Sequence, residues 1–465
     1  MSVLGLLVRA CRALGASVRA GFVTAFQLVV AAAARLKPAQ LLSLGFLSYV
    51  LVGALLLSTP HAQVQDVSLL DNLFNVTSAV STTGLTTVSV GDSYTLFGQF
   101  VLLALFQLGG IGYMTISSFV LLARGKVLSQ SRLGVLRTEF ALPKGLDLMH
   151  FVRQLVVFTV VIELLGTLAL YGEFRAAGVD RPLWSALFHC VSAFATAGFS
   201  LNNDSLERFR GNFTVCATIG ILSYMGAIGF IVIQDAWRAV RSRAIQLTFT
   251  SKVILIATGL ILLISAPLLY FTDNSLQQLP PAERATAAAF QIMTASSTAG
   301  FNTVSIAGMN ASSLVLITIA MIIGASPSGT GGGIKTTTLS SLLAVLLSTL
   351  RGRQQIVFWN HEIPLVRILT ATASATIYLT FLALGVYLLC LVEQHDFLSL
   401  VFEAASALGT VGLSLGITGS LSAKGKLLVT LLMFVGRVGP LTVGLAFFPR
   451  GELTPRPNHV ADLAV

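Results

Sequence analysis

Four stretches of this sequence lie over one another without a gap: FNVTSAVSTTGLT at 74–86, FHCVSAFATAGFS at 188–200, FQIMTASSTAGFN at 290–302 and FEAASALGTVGLS at 402–414. In each, a Phe stands ten residues before a Gly, giving Gly84, Gly198, Gly300 and Gly412. A Thr stands two before each Gly (Thr82, Thr196, Thr298, Thr410), and a hydroxyl residue followed by Ala recurs at Ser78-Ala79, Ser192-Ala193, Thr294-Ala295 and Ser406-Ala407. The glycines lie 114, 102 and 112 residues apart. Five matched positions returning four times at a near-constant interval mark an internal repeat, and one unit must then account for most of the chain.

The hydropathy repeats around these stretches. Apolar runs precede them at 41–57, 152–171, 253–271 and 365–392, and others follow at 97–122, 212–234, 312–349 and 426–448. Each run is long enough to cross a bilayer as a helix, which takes about 20 residues. The segment just before each Gly is only about 12–15 residues and opens on helix-start residues: Ser68 with Asp71, Pro182, Pro281 with Glu283, and Asp396. That is too short to cross, and it fits a re-entrant half-helix. The expectation is an all-α integral membrane protein of four tandem helix–pore-helix–helix repeats around a pseudo-fourfold pore, with eight transmembrane helices and four half-helices. The corresponding boundaries are a cytoplasmic amphipathic segment at 1–37, repeats at 38–123, 124–237, 238–351 and 352–450, and a cytoplasmic tail at 451–465.

Composition and charge agree with a membrane setting. Of 465 residues, 55% are hydrophobic and 10% charged, against about 25% charged in a soluble chain. The formal charge of +10 raises the question of nucleic acid, but its placement answers it. Twenty of the 29 Lys and Arg fall in segments expected inside, seven in segments expected outside, and Lys335 and Arg437 lie within apolar runs. Basic inner loops follow the positive-inside rule, so no nucleic-acid partner is implied. Residues 1–37 hold Arg9, Arg12, Arg19, Arg35 and Lys37 with no acid. Their apolar core is too short to span, and they read as a segment on the inner membrane surface rather than a targeting peptide. Cys11, Cys190, Cys216 and Cys390 are scattered without a CxxC pair and read as packing residues.

Irregular backbone at membrane depth survives only when buried in protein or lining a water-filled cavity. There its carbonyl oxygens can replace the hydration shell of a cation, as rings of carbonyls do in potassium filters. Gly permits the backbone angles that turn successive carbonyls to one axis, and a half-helix can aim its carbonyl end at the ion path. The candidate filter is therefore Thr82, Thr83, Gly84, Thr196, Ala197, Gly198, Thr298, Ala299, Gly300, Thr410, Val411 and Gly412, with K⁺ held by backbone carbonyls.

On these four loops, on GASPSGTGGGIKTTT at 324–338 and on GRVGPLT at 436–442, the sequence resembles the Trk/Ktr/HKT superfamily of potassium transporters, within it the Ktr-type membrane subunit. The resemblance runs from about residue 40 to 448. Trk-type members carry two further helices before the first repeat, whereas only 1–37 stands there in this chain. The resemblance implies a homodimer with one pore per subunit, regulation by a cytoplasmic ring of separate nucleotide-binding subunits, and a place in the plasma membrane with both termini cytoplasmic. It implies no covalently bound cofactor. Some relatives that favour Na⁺ carry Ser at the first filter position. Gly84 here favours K⁺, with a Na⁺-coupled or Na⁺-conducting transporter as the alternative.

The third repeat's second run, 312–350, is about twice the spanning length. Its middle reads Ser326-Pro327-Ser328-Gly329-Thr330-Gly331-Gly332-Gly333, and Pro with clustered Gly breaks a helix. A helix, a flexible loop and a second helix are expected, the loop lying under the filter of its own repeat. The resemblance makes 325–333 an intramembrane gating loop. Arg437 at membrane depth needs a partner or a cavity and is expected to donate to carbonyls of this loop. Lys335 reads equally as part of the gate or as an inner-interface anchor. Glu163 is the only acid in a core run and is expected to pair or pack. Gly109/Gly112, Gly226/Gly229 and Gly436/Gly439 are expected to admit close helix approach. GTGGGIKT at 329–336 resembles a phosphate-binding loop, but Ile334 stands where that motif needs Gly before its Lys.

Two other function classes fit the sequence less well. Alternating-access transporters often use inverted repeats, whereas all four repeats here share one orientation. A membrane enzyme needs convergent acids, bases or metal ligands, and the six histidines form no HxxxH or HExxH pair.

Overall fold

The structure, a computed structural model, describes residues 38–112, 148–241, 246–327 and 329–447. The expected amphipathic segment at 1–37, the basic loop within 124–147, Ser328 and the tail at 451–465 lie outside the described residues.

Each repeat opens with an apolar helix: α1 (Pro38–Leu57), α4 (Leu148–Ala176), α8 (Phe249–Thr272) and α12 (Leu365–Val392). Each continues with a half-helix of 12 to 16 residues: α2 (Leu69–Val80), α5 (Pro182–Phe194), α9 (Pro281–Ser296) and α13 (Phe397–Gly409). The starts are local chemistry. Ser68 caps α2 by accepting from the Asp71 N–H, and Asp396 caps α13 by accepting from the Ser399 N–H, while Pro182 and Pro281 occupy the first helical position, where no N–H is needed. A second helix follows: α3 (Leu96–Ile111), α6 (Phe213–Ile228) continuing as α7 (Phe230–Arg241), α10 (Ala311–Ile322) continuing after a loop as α11 (Thr336–Leu350), and α14 (Ala423–Val438) continuing as α15 (Pro440–Phe447). The only sheet among the described residues is the hairpin of β1 (Val357–Phe358) and β2 (His361–Glu362) between α11 and α12.

The packing repeats as the sequence does. Within each repeat the half-helix lies against the opening helix and the second helix. Between repeats, the second helix of one packs on the half-helix of the next: α3 on α5, α6 on α9, α10 on α13, and α14 back on α2. One operation applied four times returns to its start, so the four half-helices form a closed ring. Among the described residues two ion pairs bridge repeats, Lys426 to Asp71 at 2.7 Å between the fourth and first, and Arg210 to Glu283 at 3.4 Å between the second and third.

Burial is arranged inside out. The opening helices leave large apolar side chains exposed, among them Leu55, Leu168, Leu263 and Val366, as a lipid-facing wall does. The half-helices bury Thr77, Ser78, Ser192, Thr294 and Ser406 almost completely. Such polar burial is costly in a core without a reason to be there.

The second helices differ from the expectation of unbroken spans. By length and composition three described helices can cross a membrane alone, Phe151–Ala176, Phe249–Thr272 and Leu365–Val392, together with α6 and α7 if that pair, bent by 102°, is one span. The second helices of repeats 1, 2 and 4 are each 16 residues long, about 24 Å. They stop at Gly112, Gly229 and Gly439, whose φ values of 88°, 88° and 91° are left-handed angles that a side chain disfavours. The first glycine of each expected pair does admit close approach. A methyl group on Gly109, Gly226 or Gly436 would fall about 2 Å from the carbonyl oxygen of Val80, Phe194 or Leu408, at the end of a half-helix. The second glycine of each pair turns the chain instead. The third repeat's second helix also stops short, after 12 residues, and is followed by a longer insertion, so it is the extreme of a shared feature rather than the exception.

Candidate ion pathway

The four half-helices end in one way. The peptide N–H of Thr83, Ala197, Ala299 and Val411 each donates back to the carbonyl of Ser78, Ser192, Thr294 and Ser406, every one at 2.8 Å. The N–H of Thr82, Thr196, Thr298 and Thr410 donates to the Ala one residue further along, at 3.0–3.3 Å. This paired closure is the Schellman stop, and it requires a left-handed residue after the cap. Thr82, Thr196, Thr298 and Thr410 take that position with φ of 52°, 52°, 58° and 49°. A β-branched residue is an outlier there and stores strain. In repeats 1 and 4 the Ser78 and Ser406 hydroxyls also accept from Gly84 and Gly412 N–H at 3.0 Å.

Two residues on, Gly84, Gly198, Gly300 and Gly412 again have positive φ, from 68° to 98°. They close a ring. A methyl group on Gly84 would lie 2.6 Å from the Ala197 carbonyl oxygen, one on Gly198 2.9 Å from that of Ala299, one on Gly300 2.2 Å from that of Val411, and one on Gly412 2.1 Å from that of Thr83. The carbonyl before each glycine thus abuts the glycine of the neighbouring repeat all the way round. Above the ring opens a cavity of about 450 Å³ lined by all four glycines and by Thr87, Ser200, Asn202, Asn302, Ser414 and Thr418, with no charged side chain in its lining.

Below the ring the four Thr side chains meet one segment, residues 323–335. The Thr82 hydroxyl lies 3.4 Å from the Thr330 carbonyl, the Thr196 hydroxyl bonds the Thr330 hydroxyl at 2.9 Å, and the Thr410 hydroxyl accepts from the Gly332 N–H at 3.0 Å. The Thr298 hydroxyl has no hydrogen-bond partner among the described residues, but Gly331 packs beside it, so that a methyl added there would fall 1.9 Å from its oxygen. The loop therefore sits under the turns of all four repeats rather than under its own alone. It is also pinned from the side, by Ser326 N–H to the Ala227 carbonyl and Thr330 N–H to the Gly226 carbonyl, both at 3.1 Å. These ties dock the described part of the segment against the second repeat. Gly329, Gly331 and Gly332 are there for contact, since a Cβ on any of them would strike a neighbour.

Two cations hold the same segment. The Arg437 guanidinium donates through Nη1 to the Thr330 carbonyl and to the Thr82 hydroxyl (3.1 Å), and through Nη2 to the Gly109 and Gly110 carbonyls. Lys335 Nζ donates to the Gly331 carbonyl at 2.6 Å. Pro327 and Gly333 complete the turn, and Gly333 has φ 74°. Glu163 is buried in α4, and both its oxygens accept from the Gln107 amide of α3 at 2.8 and 3.0 Å. It lies away from the ring. At the outer rim the Asp396 carboxyl is held below the ordinary carboxylate range, first by the Ser399 hydroxyl (2.6 Å) and then by the Ser399 N–H.

One column of the repeat was passed over in the sequence. The residue after each conserved Phe is Asn75, His189, Gln291 or Glu403, polar in every repeat and 0% exposed in every repeat. Identity matching misses it because the four residues differ, and only matching by chemical class finds it.

The sequence matches the TrkH family, described as a cation transport protein, over residues 46–454. It is 34% identical to the Ktr system potassium uptake protein B of Bacillus subtilis (strain 168), covering 90% of this chain and 97% of that one. It is also 34% identical to the protein of the same name from Vibrio alginolyticus (87% and 90% covered), and 32% identical to the potassium/sodium uptake protein NtpJ of Enterococcus hirae (88% and 92% covered). Among solved structures, the potassium transporter TrkH from Vibrio parahaemolyticus superposes with a TM-score of 0.70 at 20% identity, covering 88% of this chain and 84% of that one, which is a likeness of fold. With a family match across most of its length and relatives above 30% identity over nearly their whole chains, this protein belongs to the TrkH family of cation transport proteins.

Proposed function

We propose that the chain is the pore-forming membrane subunit of a Ktr/Trk-type system that takes up K⁺ through a channel-like pore. The observation that carries this reading is the closed ring of four Thr-x-Gly turns, each abutting the next, beneath an uncharged polar vestibule. A K⁺ ion entering the vestibule exchanges water for the carbonyls of Thr82, Thr83, Thr196, Ala197, Thr298, Ala299, Thr410 and Val411, with Gly84, Gly198, Gly300 and Gly412 keeping the wall free of side chains. Four half-helix carbonyl ends directed toward the ring favour a cation there. Carbonyls already fixed by the repeated stop need no reorganisation to accept a dehydrated ion, and a smaller ion fits them less well.

The docked segment 325–333 is the gate. Arg437, Lys335 and the hydroxyls of Thr82, Thr196 and Thr410 hold it across the path under the filter, and conduction requires its displacement. The family resemblance supports a homodimer with one pore per subunit, a cytoplasmic ring of nucleotide-binding subunits that shifts the gate, and a plasma-membrane location with both termini cytoplasmic. Its name gives the Enterococcus hirae relative potassium and sodium as ions, so Na⁺ as a conducted or coupling ion is the second reading. Gly84, with no hydroxyl to offer a small ion, favours K⁺. The test is rescue of a potassium-uptake-deficient bacterium on low K⁺, with Rb⁺ and Na⁺ competition. Growth rescue inhibited by Rb⁺ but not by Na⁺ is expected. No rescue by the chain together with its cognate regulator, or rescue equally inhibited by Na⁺, would overturn the K⁺ assignment.

A further inference from the structure

The buried polar column after the conserved Phe has a consistent target in the repeats where it is partnered. In repeat 1, Asn75 Oδ1 accepts from the Thr87 N–H at 3.1 Å, and its Nδ2 donates to the Tyr94 hydroxyl at 3.0 Å. In repeat 2, His189 Nδ1 faces the Ser185 carbonyl at 2.8 Å, which makes that nitrogen the donor, and Nε2 accepts from the Ser200 hydroxyl at 2.9 Å. In repeat 4, the Thr418 hydroxyl donates to Glu403 Oε1 and stands 2.9 Å from the Ser414 hydroxyl. Thr87, Ser200 and Thr418 all lie on the chain leaving the filter glycine, and all line the vestibule. In repeat 3 neither amide atom of Gln291 has a hydrogen-bond partner among the described residues, nor does the buried hydroxyl of Thr303, twelve residues on, the same offset as Asn75 to Thr87.

We propose that Asn75, His189, Gln291 and Glu403 are positioning residues that brace the outer limb of each filter loop, and that the Glu403–Thr418 contact in particular sets how well the filter tells K⁺ from Na⁺. The inference rests on the filter reading above and deepens it. A polar side chain enters a dry core at a cost unless it is bonded. Here the bonded atoms are those that fix where the chain goes just after Gly84, Gly198 and Gly412. A carbonyl ring discriminates between ions by the position and number of its oxygens, and a limb free to shift lets the ring contract around a smaller ion. The two kinds of anchor divide the loop. The Schellman stop fixes its inner end, and the brace fixes its outer end. Glu403 is the extreme member, an acid with one oxygen bonded to the limb and Oε2 without a partner among the described residues.

The test is K⁺ and Na⁺ flux into liposomes by the full chain, read as the ratio of the two. Thr418→Val removes the donor and keeps the shape, Thr418→Ser keeps the donor, and Ser200→Ala opens the second repeat's brace independently. Gly84→Ser reports on the filter itself. Expected are a fall of about three- to ten-fold in the K⁺/Na⁺ ratio for Thr418→Val, recovery in Thr418→Ser, and a smaller fall in Ser200→Ala. A protein merely loosened by the substitution would lose both fluxes together and leave their ratio alone, and that result overturns the proposal. A ratio shifted by Gly84→Ser but by neither brace variant also overturns it while the filter stands. If Gly84→Ser leaves the ratio unchanged as well, the filter reading fails and takes this inference with it.

Discussion

Replacing Arg437 by Ala should open the pore in the absence of any regulator. One of its contacts holds the 325–333 segment directly, the donation from Nη1 to the Thr330 carbonyl. A hydrogen bond from a charged donor is worth about 1.5–3 kcal/mol, and with a tenfold change per 1.4 kcal/mol its loss shifts the docked-to-released ratio about 10- to 150-fold. The segment keeps its ties to Ala227, Gly226 and Thr410 and Lys335 still grips Gly331, so release should be frequent rather than permanent. The assay is rubidium influx into proteoliposomes holding this chain alone, with the melting temperature followed to exclude a folding defect, because Nη2 also holds the Gly109 carbonyl. Arg437→Lys separates two causes. It keeps the charge without the fork, so an intermediate flux is expected if the bonds matter. Influx by Arg437→Ala within two-fold of the parent would refute the reasoning. Parental flux in the Lys variant beside high flux in the Ala variant would mean that charge, not bonding, closes the path.

Glycines above and below the Thr ring should respond with opposite signs. Gly84→Ser places a side chain at φ 98° and against the Ala197 carbonyl; K⁺ flux should fall and K⁺/Na⁺ discrimination weaken, measured by competitive uptake. Gly331→Ala forces its methyl into the Thr298 hydroxyl and should lift the segment, raising flux several-fold without the regulator; reduced flux in a folded protein would contradict the gate assignment. At the outer rim, Asp396 has its folded pKa depressed from 3.8, so its contribution to stability is present above that value and lost as pH falls through the lower folded value. Asp396→Ala should therefore lower the melting temperature at pH 7 and make no difference in strong acid, as differential scanning fluorimetry at the two pH values will read.

The repeat was legible because its constraints fall on residue types with few substitutes. A left-handed Gly is costly to exchange, and the Phe, Thr and Gly spacing survives four divergent copies. The half-helix starts were legible for the same reason, since Ser68, Asp396 and the two prolines act on their own backbone. The breaks at Gly112, Gly229 and Gly439 were not. A Gly inside an apolar run reads as a packing site, and only the coordinates distinguish the contact role of Gly109 from the turning role of Gly112, three residues away. The position of 323–335 was half legible. Pro327 and the glycines announce a break, yet nothing local says that the loop touches all four Thr rather than one. Glu403 was not legible because it sits in a half-helix outside the long apolar runs, where a buried acid does not stand out.

The most direct test of the ring as an ion pathway is to locate the ion. A crystal of the protein equilibrated with Tl⁺, a heavy surrogate for K⁺, should give anomalous density on the axis among Gly84, Gly198, Gly300 and Gly412, and adding K⁺ in excess should remove it. Density confined to the protein surface, or a ring interior filled by side chains, would contradict the account.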